Sequence, residues 1–182
     1  MIYMFCADGL EEVEALATLD VMRRGGLDVK TVGLSGITAK GPHDIEFKVD
    51  MTADEFFADG KDAEAVVLPG GLGGTNALAN SKKVCDYLLK TYENGGFLCA
   101  ICAAPSVLGK TGVLKGKKAT VYPGFEDKLT GATVTGEKVV RDGKIITAKG
   151  MGCAVEFGLE IISALKGKST ADKVGKSIMF YL

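Results

Sequence analysis

His43 is the only histidine in a chain of 182 residues. A metal centre built mainly of imidazole ligands is therefore excluded. Charge of one sign is equally scarce: 22 Lys and Arg stand against 23 Asp and Glu, for a net charge of −1, and neither sign gathers into a block. That removes the electrostatic footprint of a nucleic-acid binder and of a polybasic membrane binder. No apolar run reaches the roughly 20 residues that a membrane-spanning helix needs. The N-terminus has neither the basic n-region nor the long apolar h-region of a signal peptide. Five cysteines, an odd number without framework spacing, point to a reducing, cytoplasmic setting and not to a disulfide scaffold. They are too scattered to suggest a zinc cluster. Internal repeats, low-complexity tracts and linker-like Ser/Pro stretches are missing too. With 47% apolar and 25% charged residues, the chain reads as one globular domain over 1–182 with a full-sized core.

Apolar periodicity supplies the elements. Short apolar strands are expected at 1–6, 27–34, 63–71, 97–102 and 117–122, with a half-exposed edge strand over 43–53. Helices are expected over 10–26, closed by Gly25 and Gly26, and over 81–94, 153–167 and 169–179. Residues 138–148 read as a hairpin turning at Asp142-Gly143. Short apolar strands alternating with helices imply an α/β fold, a mainly parallel sheet with helices on both faces. In such sheets, sites form beyond the carboxyl ends of the strands. The loops there are "ADGLEE" (7–12), "PGGLGG" (69–74), "CAAPS" (102–106) and "KGMGC" (149–153), each glycine-rich or otherwise unusual.

"FLCAICAAPSVLG" (97–109) carries Cys99 and Cys102 in a C-x-x-C spacing. A redox pair does not fit, because residues three apart in a strand lie about 10 Å apart, beyond the roughly 7 Å a disulfide spans. A phosphate loop in "APSVLGKT" (104–111) does not fit either: Ala104 replaces the first glycine, and no long helix starts at Lys110-Thr111. Cys99 reads as a small buried hydrophobe. Cys102 sits where a buried strand hands over to a helix with Pro105 at its first position, so it is either structural or a strained thiol on a nucleophile elbow. Free N–H groups there favour a thiolate titrating well below the ordinary value of about 8.5.

Candidate partners for that thiol follow. Glu14 lies at the edge of the apolar arc formed by Leu10, Val13, Ala17 and Val21. A carboxyl against an apolar face has its pKa raised and can act as a general acid or base. Glu11 and Glu12 read as solvated first-turn carboxylates. "PGGLGG" is either a plain turn or a nest of backbone donors for an oxyanion. Cys153 reads as buried at a helix start, and His43 as a surface histidine or an anion contact.

"ADGLEEVEALATLDVMRRGG" (7–26), "VVLPGG" (66–71), "AICAAP" (100–105) and "ITAKGMGCAVEFGLEII" (146–162) together resemble the ThiJ/PfpI superfamily, in order and spacing, and most closely its DJ-one branch. The resemblance implies a flavodoxin-like three-layer sandwich and a homodimer, with no metal and no organic cofactor. It places Cys102 on the reactive cysteine and Glu14 on its carboxyl partner. Gly70, Gly71 and Ala103 fall on backbone donors facing the sulfur, and Tyr122 beside them. It implies a cofactor-independent glyoxalase or deglycase acting on small reactive aldehydes such as methylglyoxal, or alternatively an oxidative-stress sensor or chaperone whose cysteine becomes a sulfinate. A cysteine hydrolase or intracellular protease fits less well. Neither a nucleic acid nor a membrane is an implied partner. Three positions depart from the pattern: Tyr122 replaces a common histidine, His43 an arginine and Met151 a proline. A neutral phenol donates a hydrogen bond but is a poor base at pH 7.

Overall fold

Strand β1 (Ile2–Cys6) shows how this sequence builds its layers. Ile2, Met4 and Cys6 point into one core cluster, while Tyr3, Phe5 and Ala7 point into another. The two-residue side-chain period of a strand sends alternate residues to opposite faces. Because both faces are covered, all five positions are apolar and buried. The computed structural model describes residues 1–180. After β1 come α1 (Glu12–Arg24), β2 (Val29–Gly33), β3 (Thr38–Lys40), β4 (Glu46–Lys48), β5 (Met51–Thr52) and α2 (Ala53–Asp59). The middle holds β6 (Ala65–Leu68), α3 (Leu72–Asn80), α4 (Lys82–Glu93), β7 (Phe97–Ile101) and α5 (Pro105–Thr111). The chain continues with β8 (Lys118–Ala119), β9 (Thr133–Val134), β10 (Val139–Asp142), β11 (Ile145–Ala148), α6 (Ala154–Lys166) and α7 (Lys168–Ser177).

The central sheet has seven strands in the order β10-β11-β7-β6-β1-β2-β5. All neighbours pair in parallel except β10 with β11. Helices α1, α6 and α7 cover one face; α2, α3, α4 and α5 cover the other. This is the flavodoxin-like three-layer α/β arrangement, with β2-β1-β6-β7-β11 in the doubly wound order. Its direction reverses between β1 and β6, and the crevice at such a switch point is where ligands bind.

Helix α1 is held closely against α6. A Cβ on Gly158 would sit 2.9 Å from Val21 Cγ1, so glycine alone allows that approach. Thr18 Oγ1 reinforces it by donating to the Ala154 carbonyl at 3.3 Å. On the other face, Phe5, Phe56 and Tyr87 meet edge to face, with centroids 5.2 and 4.9 Å from Phe56. Such pairs add about 0.5–1.5 kcal/mol each beyond the area they bury.

Several expectations need correction. Residues 43–53 are not one edge strand: β4 pairs with β3 in a separate two-stranded sheet, and only β5 joins the main sheet. The strand expected over 117–122 shrinks to β8, paired with β9. The hairpin turns at Gly143-Lys144, since Asp142 is already paired with Ile145. Gly143, at φ 61°, takes the first turn position, which favours glycine. Helices α2 and α3 were not expected. The first is short and closed by a Thr52/Glu55 capping box, and the second carries Gly73 and Gly74 in its first turn, which lowers helix propensity. Among the described residues, no helix is long and apolar enough to cross a membrane.

Candidate active site

Cys102 follows the last residue of β7 and has φ 64°, one of three non-glycine residues in the left-handed region among the described residues. A cysteine there is strained by about 1–2 kcal/mol, and the surroundings hold it in place. Its N–H donates to the Ala148 carbonyl at 2.9 Å, and its carbonyl accepts from the Tyr122 N–H at 2.8 Å. Pro105 opens α5, the position where its missing N–H costs nothing. The result is a half-buried thiol at the sheet's carboxyl edge. Cys99 is fully buried and burial raises its thiol, so it is inert core. All five cysteines are free. Lys110 and Thr111 end α5 instead of beginning it, and Lys110 Nζ donates to the Ala79 carbonyl. A phosphate loop is thereby excluded, because those residues would have to open a helix.

Glu14 is 1% exposed, in the first turn of α1. Its Oε2 accepts the Gly70 N–H at 2.9 Å, and the carboxyl also meets the Cys102 thiol. The Gly70 carbonyl in turn accepts the Glu11 N–H at 3.0 Å, so the loop after β6 and the start of α1 are laced together. A Cβ on Gly70 would collide with Glu14 Oε2 and lie 2.5 Å from Cys102 Cβ. Three strands of the switch point therefore converge here: β1 brings Glu14, β6 brings Gly70 and Gly71, and β7 brings Cys102. The Gly71 and Ala103 N–H groups face the sulfur. Gly70, expected as a third donor to the sulfur, spends its N–H on Glu14.

The titrations of this pair are linked. Burial pushes the Glu14 carboxyl up to about 7, against the opposing hydrogen bonds to Cys102 and the Gly70 N–H. Burial also pushes the Cys102 thiol up, to about 12, with the Glu14 charge and hydrogen bond adding to it and the Gly71 and Ala103 donors opposing. The expectation of a thiol well below its ordinary value is thus overturned for the state with Glu14 ionised. Desolvation and a neighbouring carboxylate outweigh two backbone donors and a helix of only seven residues. Two groups that share a site lose their protons as a pair. Once one proton has left, the remaining one can sit on sulfur or on Glu14. With the proton on Glu14, the carboxylate terms that oppose the thiolate are gone and both backbone donors remain.

Glu12 was expected in solvent, and the structure buries it to 2% exposure. Its Oε1 accepts the His43 N–H at 2.8 Å and its Oε2 faces His43 Nδ1 at 2.9 Å. Burial opposes ionisation of Glu12, but the His43 hydrogen bonds prevail and hold it down at about 2. The same hydrogen bond and charge raise His43. This contact spans 31 residues, and no local pattern announces it. Glu11, Glu12 and His43 bring one ligand atom each within 4.8 Å of one another. Both Glu12 oxygens are already occupied by His43, however, and a helix N-terminus favours anions over cations. The trio is built as an internal contact.

Tyr122 stands beside the elbow, half exposed, with its ring carbon 3.4 Å from where a Gly150 Cβ would be. Met151 next to Gly150 is also exposed, and Cys153 is buried as expected.

Comparison with known proteins places this geometry. A family model described as the DJ-1/PfpI family matches residues 1–164. Protein dj-1beta of Drosophila melanogaster is 42% identical over 176 residues, which cover 95% of this chain and 93% of that protein. The crystal structure of Drosophila melanogaster DJ-1beta superposes with a TM-score of 0.90 at 38% identity, covering 98% of this chain and 96% of that one. The structure of oxidized Toxoplasma gondii DJ-1 gives a TM-score of 0.93 at 27% identity, over 100% of this chain and 98% of its own. By sequence and by fold, the chain belongs to the DJ-1/PfpI family.

Proposed function

We propose that this chain is a cysteine-dependent, cofactor-independent enzyme of the glyoxalase or deglycase type, converting a small 2-oxoaldehyde such as methylglyoxal, with water, into the 2-hydroxy acid. The observation that carries the reading is Glu14: a carboxyl that is 1% exposed, raised to about 7 and coupled to a thiol on a strained turn. A group that exchanges protons near pH 7 is suited to move one between two carbons.

In the first step the Cys102 sulfur attacks the aldehyde carbon. The C–S bond forms, and the former carbonyl oxygen takes the proton held on Glu14. The Glu14 carboxylate then removes the hydrogen from that carbon as a proton, and its electron pair flows to the neighbouring ketone through an enediol. Returning that proton to the second carbon, while the hydroxyl proton on the first carbon passes to the oxygen on the second, leaves a thioester of the hydroxy acid on Cys102. Water cleaves the C–S bond, releasing the acid and restoring the thiol. The Gly71 and Ala103 N–H groups steady the sulfur whenever it carries charge. Tyr122 contributes a phenolic hydroxyl at the rim, a donor where relatives carry a base.

The test is lactate formation from methylglyoxal by the purified protein. Both Cys102→Ala and Glu14→Gln are expected to lower turnover by at least about 100-fold, the scale of general acid–base catalysis, while Glu14→Gln leaves Cys102 open to alkylation. Absence of turnover in the unsubstituted protein rejects the reading. A second reading, redox sensing, draws support from the half-buried, reachable Cys102 and from the oxidized relative. Absence of turnover combined with a two-oxygen gain confined to Cys102 under peroxide would select it.

A further inference from the structure

We infer that His43 is a positioning residue: it clamps the Glu12 carboxylate from outside the helix, and through the first turn of α1 this clamp sets the Glu14 carboxyl against Gly70 and the Cys102 thiol.

The first turn of α1 has no side-chain cap of its own, since Glu11 at the N-cap position makes no such bond. Its placement depends on ties from elsewhere. One is the Glu11 N–H on the Gly70 carbonyl. The other is His43, which reaches both oxygens of Glu12 with its backbone N–H and its ring, at 2.8 and 2.9 Å. The loop that carries His43 is seated tightly: a Cβ on Gly41 would run into the Glu12 carboxyl. Behind it, the Gly9 N–H donates to the Lys40 carbonyl at 2.7 Å and the Lys40 N–H donates to Asp8 Oδ1 at 3.0 Å. These last two bonds hold the β1–α1 loop, whereas His43 bonds the helix turn itself from the hairpin side. Two residues further along α1 stands Glu14.

His43 also makes the clamp sensitive to protons. The charged groups facing it are Glu12 and Glu11 on α1. On its own loop Lys40 pairs with Asp44 at 2.6 Å, and Asp8 on the preceding loop is engaged by the Lys40 N–H. The His43 pKa is raised by the Glu12 hydrogen bond and charge. The charge-assisted clamp is therefore complete below the ordinary imidazole value and weakens as pH rises through the raised one. Above it, Glu12 keeps its charge without a cation opposite. The first turn then loosens, and the added negative charge near Glu14 disfavours a thiolate.

The inference rests on Glu14 and Cys102 acting as a proton-sharing pair, but not on aldehyde turnover. The experiment is alkylation by iodoacetamide, followed on the Cys102 peptide by mass, for the unsubstituted protein, His43→Ala and His43→Arg, from about pH 5.5 to about pH 9, which spans an imidazole titration. The unsubstituted protein is expected to react roughly fivefold faster than His43→Ala at the acidic end, the lower range of coupling between sites, with the ratio falling toward one as His43 deprotonates. His43→Arg, which stays charged, is expected to hold its advantage across the whole range. Equal rates for all three proteins overturn the inference. So does a pH-independent loss in His43→Ala that arginine fails to restore, because that pattern marks a merely structural residue. Failure of lactate formation leaves this test standing, and failure here leaves the lactate test standing.

Discussion

Glu14→Gln is the substitution whose consequences the structure specifies most fully. Glutamine keeps the shape of the side chain and an acceptor for the Gly70 N–H, and removes the charge. Below the ordinary carboxyl value of 4.5, Glu14 is protonated in both the folded and the unfolded chain, and its ionisation contributes nothing to stability. Between 4.5 and about 7 the unfolded chain releases this proton while the folded protein retains it. The folded state then binds more protons, so stability falls as pH rises through that window. Above about 7 the penalty is complete and constant. At 1.36 kcal/mol for each pH unit between the two values, it amounts to about 3 kcal/mol. Solvent screening reduces it little, because Glu14 is 1% exposed. The Cys102 thiol, raised to about 12, adds no proton release of its own in the window. The assay is urea unfolding of both proteins at matched pH from about 4 to about 8, with the stability difference taken at each pH. That difference should move by about 3 kcal/mol in favour of Glu14→Gln over the range, with unchanged slopes. A difference that stays constant with pH would refute the reasoning, since it would mean the carboxyl is not desolvated as the geometry requires.

Two further outcomes follow from the elbow and its loop. Gly70→Ala forces a methyl group into Glu14 Oε2 and Cys102 Cβ; it should cost about 1–3 kcal/mol in thermal or urea unfolding, the usual scale of overpacking, and abolish the Glu14–Gly70 hydrogen bond along with lactate formation. Cys102 holds φ 64°, so Cys102→Gly should be more stable than Cys102→Ala by about 1 kcal/mol, the left-handed penalty that alanine keeps and glycine lacks. Equal stabilities would show that the turn relaxes when the thiol is removed.

Much of this protein is written in short-range pattern. Runs such as "IYMFC" and "FLCAI" are apolar at every position because helices cover both faces of the sheet, and that requirement is visible in five residues. Pro105 after a buried strand and the glycines after β6 likewise mark where elements end and where loops collect, whereas the apolar arc expected from Leu10, Val13, Ala17 and Val21 holds only in part: Leu10 and Val21 are buried, but Val13 is exposed and the buried face of α1 runs through Ala15, Thr18, Leu19 and Met22. Short-range pattern also misleads: Gly73 and Gly74 hide the start of α3, which depends on packing and not on propensity. What only the tertiary structure decided is which groups meet. Glu12 and Glu14 share the first turn of one helix, and the sequence set Glu14 against an apolar face and Glu12 in solvent without showing what either meets. One is buried against His43 and held at about 2, the other is buried against Gly70 and Cys102 and raised to about 7. Gly70, equally, was legible as a glycine in a loop but not as the donor that binds the carboxylate instead of the sulfur. The physical reason is that a pKa depends on desolvation and on neighbours brought from 31 and 56 residues away, and neither is encoded in the spacing of adjacent side chains.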